Sequence, residues 1–102
     1  MTKNSINKSG FDSWVVDNLK KDSDLTKKYI DEAIKNFDKD ENIEILLSAL
    51  RKAAKAKGWT YLEKETGISR QALYNALSEK GNPRIKTFIE IINSLGYHLK
   101  IT

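Results

Sequence analysis

The sequence is poor in two residues that are common in catalytic and metal centres, since its 102 residues include no cysteine and one histidine. The absence of cysteine excludes disulfides, thiolate metal sites and cysteine nucleophiles, and it suits a reducing cytosol. His98 has no second histidine or cysteine beside it, so we expect an exposed side chain rather than a metal ligand. No apolar stretch approaches the length of a membrane span or a signal-peptide core, and we expect a cytoplasmic protein.

Sequence patterns typical of enzymes are also missing. No two carboxylates are marked out as an acid/base couple, no nucleophile has an activating base, and there is no glycine-rich phosphate loop. We therefore expect neither catalysis nor a cofactor. Five aromatic residues lie at core spacing and are expected to pack rather than to stack on a ligand: Trp14, Tyr29, Phe37, Trp59 and Phe88.

Charge is divided unevenly along the chain. Residues 1–45 carry ten Asp or Glu against eight Lys, a net −2, whereas residues 46–102 carry ten Lys or Arg against four Glu, a net +6. Basic charge gathered in one half is what a phosphate-binding surface requires. The alternative is an ordinary solvated surface.

Apolar residues recur every three or four positions, which predicts a single all-α domain of five to six helices. We expect a flexible tail over residues 1–10 and one domain over residues 11–102, made of N-terminal helices (11–40), a helix-turn-helix core (41–96) and a terminal strand (97–102). The six helices are expected near residues 12–20, 25–37, 43–57, 60–66, 69–80 and 83–95. The last helix is expected to bury Ile85, Phe88, Ile89, Ile92 and Leu95.

Two short helices joined by a tight turn are the most informative feature. Gly67 suits the left-handed end of the first helix, Ile68 is an apolar plug, and Ser69 is a good N-cap for the next helix. The second helix then places apolar residues on one face and polar residues on the other. Such a helix is equipped to read base edges in a DNA major groove.

The base-reading candidates are Arg70, Gln71, Tyr74 and Asn75. Arginine can bind guanine, and Gln or Asn can bind adenine, through paired hydrogen bonds. The alternative is a merely solvated polar face. The candidates for phosphate contact are Thr60, Ser69, Asn82, Arg84, Lys86 and Thr87.

Three of the phosphate candidates have a second explanation. Thr60, Ser69 and Asn82 are also needed as helix N-caps, and Thr60 has capping-box spacing to Glu63. Arg84 and Lys86 have no such structural role, which favours phosphate contact.

Residues 97–102 alternate between apolar and polar side chains, which predicts a short C-terminal β-strand. A strand of this length must pair with something, either its symmetry mate in a homodimer or the sheet edge of a partner protein. A two-fold dimer would place two recognition helices about 34 Å apart, one turn of DNA.

Residues 43–95 resemble the Cro/C1-type (lambda-repressor-like) helix-turn-helix domain of phage repressors. The chain is also similar, more closely, to the HigA-like antitoxins known as addiction-module antidote proteins. The similarity is carried by Leu-Leu-Ser-Ala-Leu-Arg (46–51), Thr-Gly-Ile-Ser-Arg (66–70), Leu-Tyr-Asn-Ala-Leu-Ser (73–78) and Gly-Asn-Pro (81–83).

The resemblance implies a homodimeric, sequence-specific DNA-binding antitoxin. Such a protein binds double-stranded operator DNA over its own promoter, represses its operon and neutralises a toxin of the RelE/ParE superfamily. One residue departs from the pattern, because Glu63 stands where helix-turn-helix proteins usually have a small residue. We expect Glu63 either to fold back onto the Thr60 cap or to loosen the contact between the two helices.

Two other functions remain open at this point. One is a stand-alone or phage-type transcriptional regulator without a toxin partner, and the other is a helical adaptor that has lost DNA binding. If there is a toxin, the acidic N-terminal part is a candidate for its contact surface, through exposed apolar residues such as Val16 or Tyr29. The alternative is that these helices simply pack on the core.

Overall fold

A computed structural model describes residues 8–98 of the chain, including the side chains of residues 13–39 and 41–98. Within this range the chain forms six helices and no strand, which confirms the all-α prediction for the described part. The helices are α1 (Lys8–Lys21), α2 (Ser23–Asp40), α3 (Ile43–Lys57), α4 (Trp59–Thr66), α5 (Arg70–Ala76) and α6 (Ile85–Ser94).

The two ends of the chain differ from the prediction. Helix α1 begins at Lys8 rather than at residue 12, so residues 8–10 belong to a helix and not to a tail. Residues 1–7 of the expected tail and 99–102 of the expected strand lie outside the described residues. Tyr97 and His98 form neither helix nor strand, so the described part of residues 97–102 does not support the strand.

Helix α3 follows its predicted bounds and forms the centre of the molecule. Asn42 caps it by accepting hydrogen bonds from the backbone N–H groups of Glu44 and Ile45. Its long apolar stripe is buried: Leu46, Leu47, Ala49, Leu50, Ala53 and Ala54. Helices α1 and α2 pack on α3, and α4 joins α3 to α5 and α6. Each fully buried leucine contributes about 1.5–3 kcal/mol through the hydrophobic effect.

Four apolar residues lie where the helical pattern did not predict them. Trp14 is 64% exposed and is therefore not a core residue, while Val16, predicted as exposed, is buried. Ile43 and Ile85 begin their helices and stay largely outside the core. The rotation of each helix against its neighbours decides these positions, and the periodicity of one helix leaves that rotation open. The other four predicted core aromatics, Tyr29, Phe37, Trp59 and Phe88, do pack against the buried core.

The ends of the three C-terminal helices also differ from the prediction. Gly58 is the N-cap of α4 where Thr60 was expected, and Arg84 is the N-cap of α6 where Asn82 was expected. Helix α5 stops at Ala76, four residues before Lys80. The chain then turns so tightly that a Cβ on Gly81 would collide with the carbonyl oxygen of Ala76. Glycine permits this close approach, which returns the chain toward α5 before α6 begins.

Helix α2 is longer than predicted at both ends. Asp22 starts it by accepting from the N–H groups of Asp24 and Leu25. Glu41 ends it in the left-handed conformation at φ +55°. None of the helices within residues 8–98 is long and apolar enough to cross a membrane.

Candidate nucleic-acid interface

The turn between α4 and α5 has the local structure that the sequence predicts. Gly67 adopts φ +74° and its N–H donates to the carbonyl of Glu63, which ends α4. Ser69 caps α5 by accepting from the N–H of Ala72 at 3.2 Å. The hydroxyl of Thr66 stabilises the turn between them by accepting from the N–H of Ile68 at 3.1 Å. These bonds set the angle at which α5 leaves α4.

Glu63 joins the two helices, an outcome that neither expectation for this residue anticipated. Its carboxylate accepts a hydrogen bond from the backbone N–H of Arg70, the first residue of α5, at 2.8 Å. In return, the Arg70 guanidinium donates to the hydroxyl of Thr60 at 2.8 Å. A carboxylate at a helix N-terminus is favoured by the helix dipole as well as by the hydrogen bond. Glu63 therefore acts as a cap for α5 and not for its own helix.

The four base-reading candidates form one exposed face of α5. Gln71 and Asn75 are exposed and joined by a hydrogen bond of 3.2 Å between their side-chain amides. Tyr74 is 40% exposed, and its ring packs edge-on against Trp59 with ring centroids 4.6 Å apart. The opposite face of α5 buries Leu73 in the core. The helix is thus anchored on one side and displays hydrogen-bonding groups on the other.

A shallow groove of about 520 Å³ lies between α5 and α6. It brings together one base-reading candidate with three of the phosphate candidates: Asn75, Asn82, Arg84 and Thr87. Lys80 also lines this groove, although it is not among the residues predicted from the sequence to contact phosphate. The prediction of a longer α5 placed Lys80 at the end of a helix, whereas the tight turn at Gly81 directs the chain back past it. The groove combines cations, amides and a hydroxyl, which are the groups that contact phosphate and sugar.

The remaining phosphate candidates lie outside this groove. Thr60 and Ser69 are near the start of α5, where the first accepts from Arg70 and the second caps the helix. Lys86 is exposed in the first turn of α6. Arg84, which does line the groove, precedes α6 without a side-chain hydrogen bond to that helix. A contact between Thr60, Ser69 or Lys86 and phosphate stays a prediction.

Arg51 supports the far end of α5 from within α3. Its guanidinium donates to the carbonyl oxygen of Leu77 at 2.7 Å, across 26 positions of sequence. The carbonyl groups at a helix end lack partners within the helix, so this bond stabilises the point where α5 stops. In the sequence, Arg51 is one of several cations on α3, and nothing local indicates its partner.

Three groups with a shifted pKa lie away from α5, in a cluster that joins α2 to the segment after α6. The Tyr97 hydroxyl donates to the Asp31 carboxylate at 3.2 Å, and Lys35 pairs with the same carboxylate at 3.0 Å. The hydrogen bond from Lys35 is the main cause that lowers the pKa of Asp31. Burial, followed by the bond to Asp31, raises the pKa of Tyr97. His98 is exposed, as predicted, and the part of the chain with described side chains holds no cluster suited to a metal ion.

Comparison with known proteins identifies the family. A family model described as "Probable addiction module antidote protein" matches residues 9–102, almost the whole chain. The chain belongs to this family. The predicted resemblance to antidote proteins is therefore confirmed.

One relative of this antidote protein is an uncharacterised protein of Haemophilus influenzae. The two sequences are 37% identical over 62 residues, which is 61% of this chain and 64% of the relative. The match thus covers just under two thirds of the relative's length. No solved structure matches the chain.

Proposed function

We propose that this antidote protein is a HigA-like antitoxin with a Cro/C1-type helix-turn-helix, which binds operator DNA, represses its own operon and neutralises a toxin of the RelE/ParE superfamily. It acts in the cytoplasm as a homodimer, without cofactor or catalysis. The single observation that carries the DNA-binding part is the exposed polar face of α5 beside a groove lined by cations. Family membership supports the antitoxin part.

The dimensions and chemistry of α5 suit a major groove. Seven helical residues extend about 10 Å at 1.5 Å per residue, and the groove of B-DNA is about 12 Å wide. Gln71 and Asn75 lie one turn apart, so their amides address neighbouring base edges once their mutual hydrogen bond opens. Tyr74 is held against Trp59 and supplies a rigid aromatic edge rather than a mobile contact.

The groove between α5 and α6 supplies the contact to the DNA backbone. Lys80 and Arg84 are exposed and line one groove with Asn82 and Thr87. No side chain caps the N-terminus of α6, so its first N–H groups and the helix dipole favour a phosphate oxygen. Such contacts fix the position of α5 on the duplex without reading sequence.

A pair of experiments on the purified chain tests this function. Salt-sensitive binding to the DNA fragment upstream of its gene is expected in a gel shift, since cationic contacts to phosphate release counterions. Stable co-purification with the protein encoded by the adjacent reading frame is also expected. DNA binding without a co-purifying partner would favour the stand-alone regulator. A partner without DNA binding would favour the helical adaptor.

A further inference from the structure

Ile45, near the start of α3, is a large apolar residue that the fold does not bury. Its side chain is 56% exposed. Ile45 also borders a groove of about 220 Å³ between the end of α2 and the start of α3. The other residues that line this groove are Ala33, Asn36, Phe37 and Asn42. We call Ile45 and this groove the isoleucine patch.

The position of Ile45 follows from how α3 begins. Asn42 caps the helix through the N–H groups of Glu44 and Ile45, which sets its first turn. Leu46, Leu47 and Leu50 then enter the core, so Ile45 is turned away from it. Isolated exposed apolar residues are common on protein surfaces. An exposed aliphatic side chain that continues into an open groove lined by Ala33 and Phe37 is the kind of patch that marks a contact with another protein.

The surroundings of the isoleucine patch are acidic. Residues 38–44 contain four Asp or Glu and a single Lys, a net −3. The side chains of Asp38, Glu41 and Glu44 are all exposed. An apolar centre with a charged rim is the usual anatomy of a protein interface, and an acidic rim selects a basic partner. The same charge disfavours a nucleic acid, whose phosphates an acidic rim repels.

The size of the groove also restricts what can occupy it. Pockets for small-molecule ligands usually enclose about 300–1,000 Å³, more than this open groove provides. A groove of about 220 Å³ is better matched to one apolar side chain that projects from a protein surface. Helices α2 and α3 contribute no residue to the groove between α5 and α6, so occupation of the patch leaves the DNA-binding candidates accessible.

We propose that the isoleucine patch is the surface on which this chain docks its toxin, through an apolar side chain of a basic partner surface. This proposal rests on the proposed antitoxin function and names the surface that performs it. It replaces Val16, which is buried, as the apolar contact of the acidic N-terminal half.

The test measures the affinity of the purified full chain for the purified product of the adjacent reading frame, by isothermal titration calorimetry at low and high salt. Ile45→Asp should weaken binding roughly tenfold or more, as loss of a central interface anchor does. Glu44→Gln should weaken it less and reduce its salt dependence, because rim charges act mainly through long-range attraction. Ile85→Asp is the matched control, since Ile85 is 69% exposed on α6, and it should leave this affinity unchanged.

Circular dichroism confirms that each variant is folded, and the gel shift on upstream DNA does so for the two α3 variants, Ile45→Asp and Glu44→Gln. An original chain that does not bind the neighbouring product would overturn the antitoxin function and this proposal together. If the unmodified chain binds the neighbouring product and Ile45→Asp binds it equally well, the isoleucine patch is not the docking surface, while the antitoxin function stands. If Ile45→Asp instead turned a dimer into a monomer in ultracentrifugation, with partner affinity intact, the patch would be a contact between two copies of the chain.

Discussion

At the scale of single residues, the Glu63 side chain links α4 to α5. The helix-turn-helix pattern that the sequence resembles usually has a small residue here, which lets the helices approach closely. In this chain the carboxylate instead reaches across the turn to the first N–H of α5. The Arg70 side chain reaches back to Thr60, so two hydrogen bonds link α4 and α5 in opposite directions. The longer residue at this position therefore adds a link between the helices.

Replacement of Glu63 tests this link. Glu63→Ala should lower the free energy of unfolding by about 1 kcal/mol, the usual effect of losing a helix cap, and should also weaken operator binding because α5 is less well positioned. Thermal unfolding followed by circular dichroism measures the first effect, and a gel shift measures the second. Glu65→Ala, an exposed change on the same helix, is the control. Equal unfolding of the two variants would contradict a capping role for Glu63.

The amides of α5 carry the second prediction at this scale. Gln71→Ala or Asn75→Ala should each reduce discrimination between operator and unrelated DNA by about 1–3 kcal/mol, since each removes a paired contact to a base. Binding to non-operator DNA should hardly change. Competition gel shifts with the two DNAs give the ratio. Asn93→Ala, a change at an exposed asparagine on α6, is the control and should not alter this ratio. Operator footprints unchanged by all three variants would show that α5 does not lie in the DNA major groove.

At the scale of elements, the groove between α5 and α6 is made by a turn rather than by a helix. Helix α5 is only seven residues long because the chain turns after Ala76, and the Gly81 backbone then packs against the end of that helix. This turn brings Lys80 beside Asn82 and Arg84. Arg51 supports the same region from α3 through the carbonyl of Leu77. The groove is therefore supported from both α3 and α5.

The salt dependence of DNA binding tests whether the groove contacts phosphate. Lys80→Ala and Arg84→Ala should each lower affinity for operator and non-operator DNA alike and reduce the salt slope by about one unit. The slope comes from gel shifts or fluorescence anisotropy over a series of salt concentrations. Lys28→Ala, an exposed lysine on α2, is the matched control. A slope that Lys80→Ala and Arg84→Ala leave unchanged would make these residues ordinary surface cations.

At the scale of the whole molecule, a polar contact joins the segment after α6 to α2. Tyr97 donates to Asp31 across 66 positions of sequence, and Lys35 pairs with the same carboxylate. This contact ties the segment after α6 to α2, which itself packs on α3. The isoleucine patch and the groove between α5 and α6 thus lie on helices that share one core.

The pKa shifts in this contact predict how stability depends on pH. The pKa of Asp31 lies below its ordinary value of 3.8, mainly because of the hydrogen bond with Lys35, so the folded state binds a proton less readily than the unfolded state. The stabilisation is present above pH 3.8 and is lost as the pH falls through the lowered pKa. The pKa of Tyr97 is raised from 10.0, chiefly by burial, so stability should also fall as the pH rises above 10.0. Melting temperatures of the original chain and Asp31→Asn measured against pH check this, and the acid dependence should be weaker in the variant.

Local features were predictable from the sequence because neighbouring residues determine them. The bounds of α3, the left-handed Gly67, the Ser69 cap and the polar face of α5 all depend on contacts within a few positions. The resemblance to antidote proteins was likewise carried by short motifs, and the match over residues 9–102 confirmed it.

Tertiary structure alone decided the contacts between distant elements. It turned Trp14 outward and Val16 inward, and it joined Arg51 to Leu77. It also placed Lys80 in the groove between α5 and α6, and Ile45 beside the groove between α2 and α3. Each outcome depends on the rotation of one helix against another or on where a tight turn returns the chain. Helical periodicity establishes which residues share a face, but the packing of all six described helices on one core determines what that face meets.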